Sequence, residues 1–202
     1  MKTKVDLGLL NDFLVMIRSI ENNDFAERAV NCCRFTHSTL GIITEVAELK
    51  LHILHMKDLH ADEFLLGFQD EIGDICFYLL QGMDIFGWTL EQMMKPRIRA
   101  RVNVNDPIDG LHIVAGEIAD VLKKHLVYNN EMESTRLMDG YTELWELMQL
   151  LVEDFGTTLN DCIAVTRAKL NLRYPTGKFR YEDRANRDRD AEKVEMERAK
   201  NE

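Results

Sequence analysis

Apolar residues recur along most of the chain at the spacing of an α-helix. In residues 5–21 they follow i, i+3, i+4 spacing, which places them on one helical face and predicts an amphipathic helix. The same period predicts a helix over about 24–57, broken near Ser38 to Gly41, and another over about 61–86.

Capping residues predict where the later helices begin. Thr89 and Gln92 have the spacing of a capping box, and Asp106 followed by Pro107 is typical of an N-cap with proline in the first turn. No segment alternates apolar and polar residues with the period of two that a strand requires. We therefore expect an all-α fold, a helical bundle of about seven helices. The predicted helices from here on cover about 89–102, 106–128, 134–155 and 158–172.

Two short segments repeat in the same order along the chain. The sequence FGxTL at 86–90 recurs at 155–159, and EVAE at 45–48 resembles EIAD at 117–120. This order favours a tandem duplication that forms a single-chain pseudo-dimer, with coincidence as the alternative. We therefore predict three parts: a half over 1–105 that carries the site, a degenerate half over 106–180, and a charged tail over 181–202. The last residues of the tail are expected to form a solvated helix or to be disordered.

The net charge and the apolar runs of the chain limit the classes of partner that we expect. The net charge of −10 argues against a nucleic-acid binder, which needs a positive footprint, but it leaves room for a phosphate-bearing small substrate held through a metal ion. No apolar run is long enough for a signal peptide or a membrane span, so we expect a cytoplasmic protein with no membrane partner. The four cysteines are expected to be buried, reduced thiols.

Two acidic pairs stand out within apolar helices: Glu45 with Glu48, and Glu71 with Asp74. Residues three apart lie on one helical face, and antiparallel packing of the two helices would bring the pairs opposite each other. Four carboxylates in an apolar setting repel one another and need a cation, and oxygen ligands suit Mg²⁺ or Mn²⁺. The alternative is that both pairs belong to ordinary solvated helix faces.

Three segments resemble a known family. Residues 40–49 and 70–79 look like the E-x-x-E…E-x-x-D signature of the MazG-like, all-α nucleoside triphosphate pyrophosphohydrolases, which include dimeric dUTPases and dCTP pyrophosphatases. The segment AKLNLRYPTGKF at 168–179 resembles the K-L-x-x-R-Y-P-x-G segment that follows the last core helix in many such proteins. Together the three segments touch about a sixth of the chain.

The resemblance implies an activity. It implies Mg²⁺-dependent hydrolysis of an NTP or dNTP to the monophosphate and pyrophosphate, with Mn²⁺ as a second candidate metal. Glu45, Glu48, Glu71 and Asp74 would be the catalytic metal ligands, and one glutamate would also orient or deprotonate the attacking water. Members of the family commonly work as dimers, so a homo-oligomer is also consistent with the resemblance.

Four further residues are candidates for substrate binding. Lys169 and Arg173 match basic positions of the family and lie four apart on one helical face, which suits phosphate contacts; the alternative is a pair of surface charges at a helix C-terminus. Tyr78 matches an aromatic position near the nucleoside, with a core tyrosine as its alternative. His37 lies near enough to Glu45 to reach the site, with a structural histidine as its alternative.

The second half departs from the motif. The repeat aligns Glu45 and Glu48 with Glu117 and Asp120, but it aligns Glu71 with Gly140, so one acid is lost. We therefore expect one competent site, with the second half supplying scaffold and the basic residues Lys169, Arg173 and Lys178. The competing hypothesis is a catalytically silent nucleotide-binding or interaction protein with the same fold. The preferred base and sugar cannot be predicted from these residues.

The pseudo-dimer hypothesis generates the first prediction. A fragment of residues 1–105 should bind Mg²⁺ poorly and hydrolyse no nucleoside triphosphate, because the second half would be needed to complete the site. Isothermal titration with Mg²⁺ and a pyrophosphate-release assay on the fragment and the full chain test this. Full activity in the fragment would contradict it.

Overall fold

The computed structural model describes residues 6–20, 27–95 and 106–201, and within these ranges the fold is all-α, as expected. The fourth helix ends at Met93, so the prediction that it continues through residues 94 and 95 is wrong, and the rest of the predicted range lies outside the described residues. A short 3₁₀ turn, Met56–Asp58, follows the second helix. The helices are α1 (Leu7–Ile20), α2 (Glu27–Leu54), α3 (Ala61–Ile85), α4 (Leu90–Met93), α5 (Pro107–Tyr128), α6 (Ser134–Asp154), α7 (Leu159–Arg173), α8 (Tyr181–Ala185) and α9 (Arg189–Lys200).

The two FGxTL segments form matching turns. Gly87 and Gly156 both adopt left-handed backbone, with φ of 64° and 68°, which favours glycine. Thr89 and Thr158 then cap α4 and α7, each through a reciprocal capping box. The same local geometry therefore links α3 to α4 and α6 to α7, at the positions where the sequence repeats.

Helix α2 runs unbroken through residues 38–41, so the predicted break there is wrong. The small residues serve close packing instead. The Ser38 hydroxyl donates to the carbonyl oxygen of Tyr78 at 2.7 Å, and the Tyr78 ring lies directly over Gly41, where a Cβ would clash. Small side chains thus let α3 approach α2 closely without interrupting its hydrogen bonds.

One hydrophobic core includes residues of both predicted halves. Helix α2 packs along α3 and also against α5, while α5 pairs with α6 and α7 covers α3. Ile42 and Leu79 from the first half are fully buried in the same cluster as Leu144 and Ile163 from the second. Among the described helices, none combines the length and the apolar composition that a bilayer crossing needs.

The cysteines follow the expectation only in part. Cys76 and Cys162 are buried free thiols, as expected. Cys33 is exposed, because it lies on the face of α2 that lines a cavity, so the expectation of burial is wrong for it.

The charged C-terminal segment includes a helix, as one of the two expectations had it, but this helix packs against the bundle, so the expectation that it is solvated is wrong. Helix α9 packs along α7, and Met196 forms a small buried cluster with Leu66 and Val165. Glu192, four residues earlier on α9, is also buried. The reason for the error is that only these few residues face inward, and they are spaced among many charges.

The close packing of α3 on α7 generates a second prediction. A Cβ on Gly73 would lie 2.6 Å from the carbonyl oxygen of Cys162 and closer still to the Thr166 hydroxyl. We expect Gly73→Ala to destabilise the protein by about 1–3 kcal/mol, because α7 must shift to make room. The measurement is the free energy of unfolding in urea.

Gly116→Ala is the matched control, because nothing lies within 4 Å of the added methyl group. Gly116 lies within α5 and is exposed, so alanine there should stabilise by about 0.5–1 kcal/mol. Effects of the same sign in the two variants would contradict the packing argument.

Candidate functional site

A cavity of about 900 Å³ opens between α2, α3, α7 and the C-terminal segment, a volume typical of small-molecule sites. Its lining divides by charge. Carboxylates from α2 and α3 form one side, which we call the floor: Glu45, Glu48, Asp70, Glu71 and Asp74. Arginines from α7 and the C-terminal segment form another, which we call the wall: Arg173, Arg184, Arg187 and Arg189.

Three of the four predicted metal ligands come together on the floor. One carboxylate oxygen from each of Glu45, Glu48 and Glu71 lies within 4.8 Å of the other two. Oxygens bound to one divalent cation at about 2.0–2.6 Å lie within roughly 5 Å of each other, so this spacing suits a single ion. The Glu71 Oε2 atom is buried and has no hydrogen-bond partner among the described residues.

Crowding and burial change the acidity of these groups. Burial raises the pKa of Glu71 to about 9, with further contributions from Asp70, Asp74 and the two glutamates of α2. Burial also raises the pKa of Glu45 to about 7, with repulsion from Asp74 and Glu48 adding to it. Without a cation, the Glu71 carboxyl therefore retains its proton at neutral pH.

Asp74, the fourth predicted ligand, lies in the cavity but outside the group of three. Its Oδ2 atom accepts a hydrogen bond from the Lys169 ammonium at 2.6 Å, and Lys169 also donates to Asp70. Lys169 is 3% exposed, so a surface charge is the wrong interpretation for it. Burial alone would lower the pKa of Lys169, but the fields of Asp74 and Asp70 outweigh burial and raise it.

Arg173 also has a partner within the chain. Its guanidinium makes a two-pronged contact with Glu192 of α9, with both N···O distances at 2.9 Å. Burial alone would lower the pKa of Arg173, yet the hydrogen bonds and charge of Glu192 raise it. Arg173 still lines the cavity, whereas exposed Lys178 does not.

Tyr78 and His37 form an aromatic side of the same cavity. The Tyr78 ring is half-buried and meets His37 edge to face, with 5.2 Å between ring centroids. Burial raises the pKa of Tyr78 to about 12, aided by Glu45 and Asp74, so the phenol is neutral at physiological pH. His37 is exposed at the cavity, so neither residue is enclosed in the core.

Within the described ranges, the second half has no matching group of three metal-capable residues. Asp120, aligned with Glu48, instead forms ion pairs with Lys123 at 2.7 Å and Lys124 at 2.8 Å. Gly140, aligned with Glu71, packs beneath Ile118. The cavity therefore has one cluster of carboxylates, on the first half, with basic residues of the second half facing it.

Several cavity residues were not predicted from the sequence. Asp70 could have been found, because it lies four residues before Asp74 and so shares its helical face. Arg34 lines the cavity from α2 and pairs with Asp84 at 2.9 Å. Arg184, Arg187 and Arg189 were missed because the tail that carries them was expected to be solvated.

No family model, curated protein or solved structure matches the chain. The resemblance to the MazG-like family therefore stays a prediction, supported by the segments that carry it. The geometry of the cavity is a separate observation, since it follows from the positions of the side chains.

The raised pKa of Glu71 generates a third prediction. Burial moves the pKa from the ordinary 4.5 to about 9, so the folded state holds the proton more tightly than the unfolded state does. The associated stability is present below pH 4.5 and is lost as pH rises through 9. In EDTA, the free energy of unfolding should fall with pH across this window, at up to about 1.4 kcal/mol per pH unit for one proton.

The Glu71→Gln variant should flatten this slope between pH 7 and 9, above the pKa of about 7 at Glu45, because glutamine does not titrate. The control is Glu153→Gln, which removes an exposed glutamate at the end of α6 and should keep the slope. Urea unfolding at several pH values measures all three proteins. A wild-type slope that survives in Glu71→Gln would contradict the assignment to this carboxyl.

Proposed function

We propose that the protein hydrolyses nucleoside triphosphates to the monophosphate and pyrophosphate in an Mg²⁺-dependent reaction. The observation that carries the proposal is the convergence of Glu45, Glu48 and Glu71 on one point of a cavity that also contains arginines and an aromatic ring. A nucleotide bound with a metal ion requires each of these: oxygen ligands for the metal, cations for phosphate, and an aromatic or apolar surface for the base.

The residues present fit a hard divalent cation. The cluster contains carboxylates alone, without cysteine or histidine, and this donor set suits Mg²⁺ or Mn²⁺. The buried, unpartnered oxygen of Glu71 supports the same fit, because burying an acceptor with no partner is costly. A bound Mg²⁺ would lower the pKa of water and offset negative charge on phosphoryl oxygens.

The protein's own residues have distinct roles in the proposed reaction. Hydrolysis adds water across the anhydride between the α- and β-phosphates, and a carboxylate accepts the proton that the water loses. Glu48 suits this role, because it is the exposed member of the cluster. Lys169 holds Asp74 and Asp70 in place beneath the cluster through direct hydrogen bonds.

The wall and the aromatic side of the cavity would contact the substrate. Arg173 offers a guanidinium fixed by Glu192, so little side-chain freedom is lost when it contacts a phosphate. The half-buried ring of Tyr78 offers an apolar face to the nucleoside, and His37 borders it. No side chain in this set selects among bases, so the proposal extends to both NTPs and dNTPs.

A second candidate function is nucleotide binding without turnover. It is favoured by the contact between Asp74 and Lys169, because that contact occupies one oxygen of the fourth predicted ligand. A site limited to three glutamates could bind a metal–nucleotide complex and still lack the geometry for hydrolysis. The two functions differ in whether pyrophosphate is released.

The fourth prediction tests turnover. The full chain, incubated with a panel of NTPs and dNTPs, should release pyrophosphate with MgCl₂ and none with EDTA. Glu48→Gln should reduce the rate by at least about 100-fold, because it removes a carboxylate that would bind the metal or accept the proton. It keeps the size of the side chain at an exposed position, so the fold should be unchanged.

Glu153→Gln again serves as the control and should retain the wild-type rate. Circular dichroism and the thermal midpoint of each variant confirm that the fold is intact. Wild-type turnover in Glu48→Gln would contradict the proposed role. Nucleotide binding without pyrophosphate release in the wild type would favour the binding protein.

A further inference from the structure

Three arginines of the C-terminal segment line the cavity, although they belong neither to the metal cluster nor to the three segments that resemble the MazG-like family. Arg184 belongs to α8, Arg187 lies in the link between α8 and α9, and Arg189 is the first residue of α9. Arg184 also lies close enough to Tyr78 for its charge to lower the pKa of that phenol, against the larger effect of burial. The segment thus faces the same space as the aromatic side.

The segment is anchored by a buried ion cluster. Glu192 is 3% exposed, and its Oε1 and Oε2 atoms both accept hydrogen bonds from Arg173 at 2.9 Å. Its Oε2 atom also accepts from Arg187 at 2.8 Å. Because a buried carboxylate is costly without partners, this arrangement fixes α9 against α7 and holds Arg187 at the cavity.

The wall carries more positive charge than the chain neutralises. Glu192 faces both Arg173 and Arg187, so one carboxylate serves two guanidinium groups. In the part of the chain that the structure describes, the side chains of Arg184 and Arg189 form neither a hydrogen bond nor an ion pair. Like charges gathered around one space repel, and an anion in that space would relieve the repulsion.

We propose that Arg184, Arg187 and Arg189 form an anion subsite for a diphosphate group, the β- and γ-phosphates of a bound nucleoside triphosphate and the pyrophosphate released from it. This inference rests on the proposed function for the identity of the substrate. Guanidinium groups bind phosphate oxygens through paired hydrogen bonds, and three of them suit the charge of a diphosphate. Floor and wall line one cavity, so a single polyphosphate can contact both.

The test measures binding of inorganic pyrophosphate to the full chain by isothermal titration in EDTA, where no metal bridges the ligand to the floor. The double variant Arg184→Gln, Arg189→Gln should bind pyrophosphate about tenfold more weakly or worse, since it removes two charged donors. The dependence of the affinity on salt should also become shallower. Both arginines are exposed, so the fold should tolerate the change.

The matched control is the double variant Lys193→Gln, Arg198→Gln. It removes the same charge from exposed positions of α9 that do not line the cavity. Its affinity for pyrophosphate should stay within about twofold of the wild type, because long-range charge effects are screened by salt. Equal loss in both double variants would overturn the subsite and assign the effect to net charge.

The outcome separates this inference from the proposed function. Absence of pyrophosphate binding by the wild type, or unchanged binding in Arg184→Gln, Arg189→Gln, would overturn the subsite even if the protein hydrolyses nucleotides. Selective loss of binding in that variant would support the subsite. If the wild type then released no pyrophosphate from any NTP, the hydrolase would fail while the anion subsite stood.

Discussion

Repulsion among carboxylates crowded between α2 and α3 is the constraint around which the cavity is organised. The Lys169 ammonium neutralises part of that charge, since it donates to both Asp70 and Asp74. The remaining three acids, Glu45, Glu48 and Glu71, lie together, and although Lys169 also acts to lower the pKa of Glu45, burial and repulsion outweigh its effect. Burial, together with their repulsion, raises the pKa values of Glu45 and Glu71. The floor is therefore divided into a neutralised part and a part that still requires positive charge.

The neutralising lysine comes from the second half of the chain, and this ties the floor to the whole bundle. Lys169 reaches Asp70 and Asp74 because α7 lies close against α3, with Gly73 at the contact. Removing α7 would leave two carboxylates without their partner and would expose the apolar face of α3. The halves that the repeat predicts are thus not separate units in the structure. They share a core, and each contributes charges to one cavity.

Much of the fold could be predicted from the sequence, because helix period and capping are local properties. Thr89 and Asp106 cap the helices that they were expected to cap. The convergence of three glutamates also followed from spacing, which fixes the face on which a side chain lies. Spacing does not reveal what lies opposite that face. For this reason the pairing of Asp74 with buried Lys169, rather than with the other three acids, could not be predicted.

Two errors have a common origin in long-range packing. Ser38 and Gly41 were interpreted as a helix break, whereas their small size accommodates the Tyr78 ring and backbone from α3. The tail was interpreted as solvated, whereas buried Glu192 and Met196 fix it to the bundle. In each case, the local composition was typical of irregular or exposed chain, and the deciding contact lies on another helix.

The opposed charges of floor and wall explain how a chain with a net charge of −10 could receive an anionic ligand. Net charge governs the field far from the protein, whereas within a cavity the nearest groups dominate because interaction energy falls with distance and screening. An anion alone would be attracted only by the arginines, and a cation alone would be attracted only by the glutamates. A metal ion joined to a polyphosphate satisfies both sides at once. The arrangement therefore favours the complex of metal and polyphosphate over either component, and this preference follows from the placement of charges rather than from any one residue.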